Sequence, residues 1–426
     1  MDAIEELRER LERTREKTET LLAPVPEARL ATRGSPTHAS LAWDLASAAS
    51  FEELWLLRKL GGEPPDAAKH ADVYDAFHFD STVSKLPTLS ASSVRAYADD
   101  VRERVLAHLD RVDLSVPDPL LRNELVYGLT VQHELEQQEK MLETVQLLGQ
   151  TYPLPPRLDP PEQAPGPRNE VSIGQGVFVL GALDEPWAYD NELAAHEVEL
   201  KAFRIDRTPV TNRAFAEFVE DRGYHTQKLW SRQGWAWRTA EKVGAPLYWE
   251  KTGSGWERTR FGRREPLPPD EPVQHVSAFE AEAYARSVGK RLPTEAEWER
   301  AAGWNVHSGK KRFPWGQEWM EYEANLGRTR LSPTPVGSFG GGVSSTGCLQ
   351  MAGDVWEWTS SSFQAYPDFL AFPDTEASEA YFGHEYRMLR GGSWATDPAV
   401  ARTTFRRFEL PSSRELFAGF RCARDA

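Results

Sequence analysis

Between residues 151 and 170 the chain reads TYPLPPRLDPPEQAPGPRNE, with seven prolines. Proline fixes φ and removes a backbone donor, so no helix crosses this stretch and the segment favours an extended, semi-rigid form. The chain therefore divides there. The sequence predicts two domains, 1–150 and 171–426, joined by a Pro-rich linker at 151–170.

The two halves differ in texture. Before the linker, amphipathic stretches near 2–22, 38–60, 91–113 and 118–148 predict a four-helix bundle. Ser90 or Ser92 suits the N-cap of the third helix, and Asp118-Pro119 is a cap followed by proline at the first helical position. After the linker come short apolar runs, Gly and Pro turns, and 13 of the 15 tryptophans. Large rings can hold together a loop-rich α+β domain that has little regular sheet. Brief helices are expected at 211–221, 277–288 and 294–302, the last opened by a capping box of Thr294 and Glu297.

Composition narrows the function classes. A net charge of −15 repels phosphate backbones, which argues against nucleic acid as a partner. No apolar run approaches the roughly 20 residues of a membrane helix, and the charged N-terminal segment has no signal-type apolar core, so a cytoplasmic protein with no membrane partner is expected. Cys348 and Cys422 cannot form a disulfide framework and read as small buried hydrophobes. The dense basic cluster of Arg402, Arg406, Arg407 and Arg414 is a pocket candidate. Salt bridges to Glu409, Glu415 and Asp397 are its alternative reading.

The phrases FRIDRTPVTNRAFAEFV (203–219), KRLPTEAEWERAA (290–302), FPWG (313–316), MAGDVWEWT (351–359), LRGGSW (389–394) and GFRCA (419–423) stand in this order. Together they resemble the formylglycine-generating-enzyme fold, a variant of the C-type-lectin architecture. Enzymes proper of that type use a cysteine pair near the C-terminal end. Here Cys422 stands alone in the closing phrase, so cysteine-dependent oxidation is excluded. LAWDLASAASFEELWLLR (41–58), YDAF (74–77), QHELEQQEKML (132–142), DEPWAYDNE (184–192) and GWAWR (234–238) narrow the match. The whole chain resembles the sulfoxide synthases of ergothioneine biosynthesis, which join a DinB-like four-helix bundle to the lectin-like domain.

That resemblance implies a mononuclear non-haem iron(II) held by three histidines of the bundle, two of them one helical turn apart. The family positions fall on Ser47, His133 and Gln137, so two of the three imidazoles are replaced by a hydroxyl and a neutral amide, both poor donors for iron(II). Helical spacing still points them inward. Leu125, Leu129, His133, Gln137, Met141 and Val145 form one stripe, and Trp43, Ser47, Ser50 and Leu54 another. His133 then reads either as a hydrogen-bonded core residue or as part of a site rebuilt with Glu136 or Glu139 and a histidine from His38, His70, His78 or His108.

The resemblance also implies a substrate pocket partly made by an FRNWD-like phrase, here FRRFE, with Arg407, Phe408 and Glu409 in its last three places. Arg414 is what remains of a paired-arginine carboxylate clamp. A fixed positive charge at Arg407 would repel a trimethylammonium group and suits an anion. A family tyrosine acting as proton donor falls in a stretch where this chain has Asp374 and Ala377. The expectation is a metal-poor paralogue that binds a small anionic amino-acid-like or thiol metabolite. The alternative is an active iron oxidoreductase forming a carbon–sulfur or carbon–selenium bond on a histidine-derived substrate. Structural calcium, held by carbonyl and carboxylate groups of the lectin-like domain, is a further expectation.

Overall fold

The computed structural model describes residues 3–35, 38–64, 69–73, 88–156, 170–372 and 378–426. They fall into two compact units, Met1–Pro153 and Leu154–Ala426. Most of the Pro-rich linker, the YDAF phrase, His78, Asp374 and Ala377 lie outside the described residues.

The first unit is a bundle of α1 (Ala3–Leu22), α2 (Leu41–Glu52), α3 (Ala91–Leu109) and α4 (Leu125–Leu147). Ser40 caps α2 by accepting from Trp43 N at 3.2 Å, and the helix then widens into π-type turns over Glu53–Leu60. Ser90 caps α3. The fourth helix starts later than the sequence suggests. Asp118 does accept from Leu120 N at 2.8 Å, but Asn123 and Glu124 take left-handed φ of 53° and 59°, so the segment from Asp118 is a turn and α4 begins at Leu125.

The interior of the bundle is not purely apolar. Arg15 of α1 donates to Glu134 of α4 at 2.7 Å and to Glu52 of α2 at 3.1 Å. Arg102 of α3 donates to the same two acids, at 2.6 Å to Glu52 and 3.0 Å to Glu134. All four side chains are buried, and together they tie the four helices at one level.

The second unit is α+β. Its strands are β1 (Glu170–Ile173), β2 (Gly176–Leu180), β3 (His196–Leu200), β4 (Phe203–Asp206), β5 (Trp249–Thr252), β6 (Gly255–Arg260), β7 (Arg263–Pro266), β8 (Trp304–Asn305), β9 (Gly309–Lys310), β10 (Trp356–Ser362), β11 (Arg387–Arg390), β12 (Arg407–Glu409), β13 (Ala418–Gly419) and β14 (Ala423–Asp425). They form small sheets ordered β1-β4-β14 and β12-β11-β10-β13, the three-stranded β5-β6-β7, and the hairpins β2-β3 and β8-β9. The helices α5 (Asn212–Glu220), α6 (Arg232–Ala240), α7 (Ala278–Ser287) and α8 (Glu295–Gly303) match the expected short patches and add α6. Thr294 and Glu297 form the expected capping box on α8, at 3.1 and 2.8 Å.

One core cluster packs Ile173, Phe203, Ile205, Trp298 and Met351 with Cys348. Both cysteines are free and buried. Two of the phrases quoted above turn on glycine for steric reasons. A Cβ at Gly353 would lie 2.3 Å from the Asn325 carbonyl, and one at Gly391 would lie 3.0 Å from the Trp298 ring, both at positive φ. Among the described residues no helix is long and apolar enough to cross a membrane.

Candidate functional site

In the bundle, α2 and α4 bring the three family positions together. The His133 ring stacks on Phe51 with centroids 4.1 Å apart and planes 14° from parallel. Its Nε2 lies 3.4 Å from Gln137 Nε2, one turn along α4, and the ring hydrogen-bonds to the Ser47 backbone. Burial, followed by the charge of Lys140, pushes the imidazole down to about 3. This is a neutral, stacked and hydrogen-bonded ring.

Beside this ring Ser47 offers a hydroxyl and Gln137 a neutral amide, both poor donors for iron(II). Among the described residues no group of three His, Cys, Asp or Glu side chains is placed to hold a metal ion. Of the histidines weighed for a rebuilt site, His78 lies outside the described residues and two others face acids. His38 lies 3.9 Å from Glu143, and His70 lies 3.4 Å from Asp100 and packs edge-on against Tyr97. His108 sits in the last turn of α3 and is held below its ordinary pKa by burial.

In the second unit, Arg407, Phe408 and Glu409 form β12, which pairs with β11 at the edge of its sheet. Side chains alternate along a strand, so Arg407 and Glu409 share one face and Phe408 takes the other. The Arg407 guanidinium lies 5.5 Å from the Trp356 ring centroid and donates to Glu409 at 3.3 Å. Phe408 stacks on Phe363 at 4.0 Å, with Tyr381 at 5.2 Å and Tyr386 at 5.6 Å. Sequence reasoning passed over both tyrosines. Their signal was there, because YFGHEY sets two phenols just before β11, the strand that pairs with FRRFE.

Arg414 is placed differently. Its Nε lies 3.1 Å from Glu280, its Nη2 donates to the Ala245 carbonyl, and its guanidinium lies 5.9 Å from the Trp237 ring. Glu280 is itself fixed by Tyr224 at 2.5 Å and by Ser277 N at 2.8 Å. The other two arginines of the sequence cluster are framework. Arg402 is buried against Glu192, with Nε to carboxylate at 2.8 Å, and Arg406 is buried against Glu295 at 2.7 Å. Of the acids weighed from sequence, Glu409 meets Arg407 of the cluster, Glu415 accepts from the Arg414 backbone at 2.8 Å, and Asp397 lies 4.0 Å from Arg328.

Asp354, the acid of MAGDVWEWT, accepts from Asn325, Thr334 and Gln350 at 2.7 to 3.0 Å. Donors surround it, so it is a hydrogen-bonding hub of the loops.

A loop-rich lectin-like unit and a four-helix bundle define the class of the molecule. Residues 157–426 match the model of the sulfatase-modifying factor enzyme 1-like domain, and residues 10–135 match that of the DinB superfamily. Hercynine oxygenase from Mycobacterium tuberculosis is 41% identical over the full length of both chains, and that from Mycolicibacterium smegmatis is 42% identical, again over both full lengths. The formylglycine-generating enzyme of Streptomyces coelicolor is 34% identical over 61% of this chain and 90% of its own. The chain belongs to the hercynine oxygenase family.

Proposed function

We propose that this member of the family binds a small anionic amino-acid-like or thiol metabolite and does not carry out iron-dependent carbon–sulfur bond formation through the family's ligand set. The observation that carries the reading is the bundle trio: Ser47, His133 and Gln137 lie together, but only one is an imidazole, and that ring is stacked on Phe51 and hydrogen-bonded. An iron able to take up both a thiolate and dioxygen needs strong nitrogen or carboxylate donors, and a hydroxyl with an amide does not supply them.

The edge strand supports the ligand class. Arg407 presents a guanidinium beside Glu409 and the Trp356 face, which suits the carboxylate of an amino acid and disfavours a trimethylammonium group. Arg414 contributes less, because Glu280 already balances its charge.

The test is anaerobic loading with iron(II), followed by metal analysis, of the natural chain beside a Ser47→His/Gln137→His double variant. The natural chain is expected to retain no stoichiometric iron, and the double variant to retain it. Stoichiometric iron in the natural chain overturns the reading and makes the active oxidoreductase the better account. Titration with cysteine and γ-glutamylcysteine forms the second arm, in which binding that is lost on Arg407→Ala supports the pocket and binding that is unaltered removes it.

A further inference from the structure

Among the described residues, six arginines of the second unit are buried: Arg258, Arg300, Arg390, Arg402, Arg406 and Arg421. Five of them meet a carboxylate, namely Glu271, Glu295, Glu192, Glu295 and Glu357 respectively, with Arg300 left out of the series. Arg300, on α8 and 6% exposed, has no acid partner among the described residues. Two of its five N–H groups donate to the carbonyls of Gly176 at 2.9 Å and Gly174 at 3.1 Å. Desolvation is the one influence on its pKa, which is lowered. A buried guanidinium without a counter-charge is costly, and folds seldom keep one without a use for it.

Arg300 lines a half-open cavity of about 180 Å³ with Ser172, Ile173, Gly174, Trp304, Val306 and Thr346. An engineered apolar cavity of roughly 150 Å³ takes up benzene, so the space suits a ligand of that size. Apolar groups make up much of the wall. The Thr346 hydroxyl already donates to the Ala301 carbonyl at 2.8 Å. One cation, the Ser172 hydroxyl and largely apolar walls match a monoanion on a compact apolar body, and would leave a phosphate dianion short of donors.

We propose that this cavity binds a small monocarboxylate, with Arg300 taking the carboxylate and Ile173, Trp304 and Val306 flanking the apolar body. The site goes beyond the edge-strand pocket and shares no residue with it. Guanidinium and carboxylate form the strong bidentate pair, so a neutral isostere of the ligand should be rejected.

Calorimetric titration of the full chain with benzoate and with benzamide tests this. Benzoate is expected to bind and benzamide to fail. Arg300→Gln should weaken benzoate binding by about tenfold or more. Val306→Trp narrows the cavity at a residue that is 74% exposed, and should weaken binding while leaving the melting temperature unchanged. That second variant decides the matter if Arg300→Gln proves unstable through loss of its two carbonyl contacts. Retained benzoate binding in Arg407→Ala assigns the site to Arg300 whatever becomes of the edge-strand pocket. The proposal is overturned by no benzoate binding at millimolar concentration, by equal binding of benzamide, or by binding that Val306→Trp and Arg300→Gln both leave intact.

Discussion

The bundle and the lectin-like unit both bury arginine and glutamate, but they arrange them differently. The bundle gathers Arg15, Arg102, Glu52 and Glu134 into one knot in which each arginine reaches both acids. The second unit spreads its ions more widely, with Arg421 on Glu357 and with Arg390 and Arg406 sharing Glu295, and there most of these arginines serve several loop carbonyls where Arg15 and Arg102 each serve one. Arg421 donates to four of them, at Asp206, Arg207, Leu349 and Gln350, besides holding Glu357 at 2.6 Å. Arg390 and Arg406 do the same for Thr403, Thr404, Asn191 and Gln364. A helix satisfies its own backbone, so one knot suffices to fix the register of four helices. Loops cannot do so, and a fork of five donors is the side chain that can close several of them at once.

The sharpest way to break this contrast is to compare the loss of one ion from each unit. Arg421→Ala should cost the most, about 5 kcal/mol, because it orphans a buried carboxylate and four carbonyls together. Denaturant titration followed by tryptophan fluorescence reports it, since 13 of the 15 tryptophans follow residue 180. Glu134→Gln should cost less, about 3 kcal/mol, because both Arg15 and Arg102 keep Glu52. Far-ultraviolet ellipticity follows that loss in the helices. Equal costs for the two variants would mean that the shared knot confers no redundancy and that the contrast is one of appearance only.

The same contrast governs what could be read from the sequence. Helical periodicity and caps such as Ser90 and Thr294 are local, so most elements of the bundle and the short helices α5, α7 and α8 of the second unit were legible to within a turn, while α6 was not expected. The start of α4 was not, because nothing in Arg122-Asn123-Glu124 announces two left-handed residues. Arg15 was missed because a charged residue in a charged helix reads as solvated. It does, however, lie on the stripe of Leu7, Leu11, Thr18 and Leu22, which is the pattern that could have exposed it. The assembly of Ser47, His133 and Gln137 followed from helical spacing and resemblance. The division of the arginine cluster into framework and edge strand did not, since Arg402 finds Glu192 some 210 residues away in sequence.

Each unit also keeps a buried ionisable group outside its scheme, such as Arg300 in the second and Asp44 in the first. Asp44 is 5% exposed and its Oδ2 meets no hydrogen-bond donor. Burial raises its pKa to about 7, against the pull of Lys140 and His38 and with a further push from Glu143. The unfolded chain ionises this carboxyl near 3.8, so between about pH 4 and 7 the folded state holds a proton that the unfolded state has released. Stability from this group is therefore full below pH 4, falls as the pH rises, and levels off above 7. Asp44→Asn keeps the shape and removes the titration. Its stability relative to the natural chain should rise by about 1 kcal/mol per pH unit across that window and stay constant above it. Urea denaturation of both chains at several pH values measures the difference directly. A difference that does not change with pH would show that Asp44 ionises normally in the fold, and that the bundle tolerates a buried charge outside its knot as readily as within it.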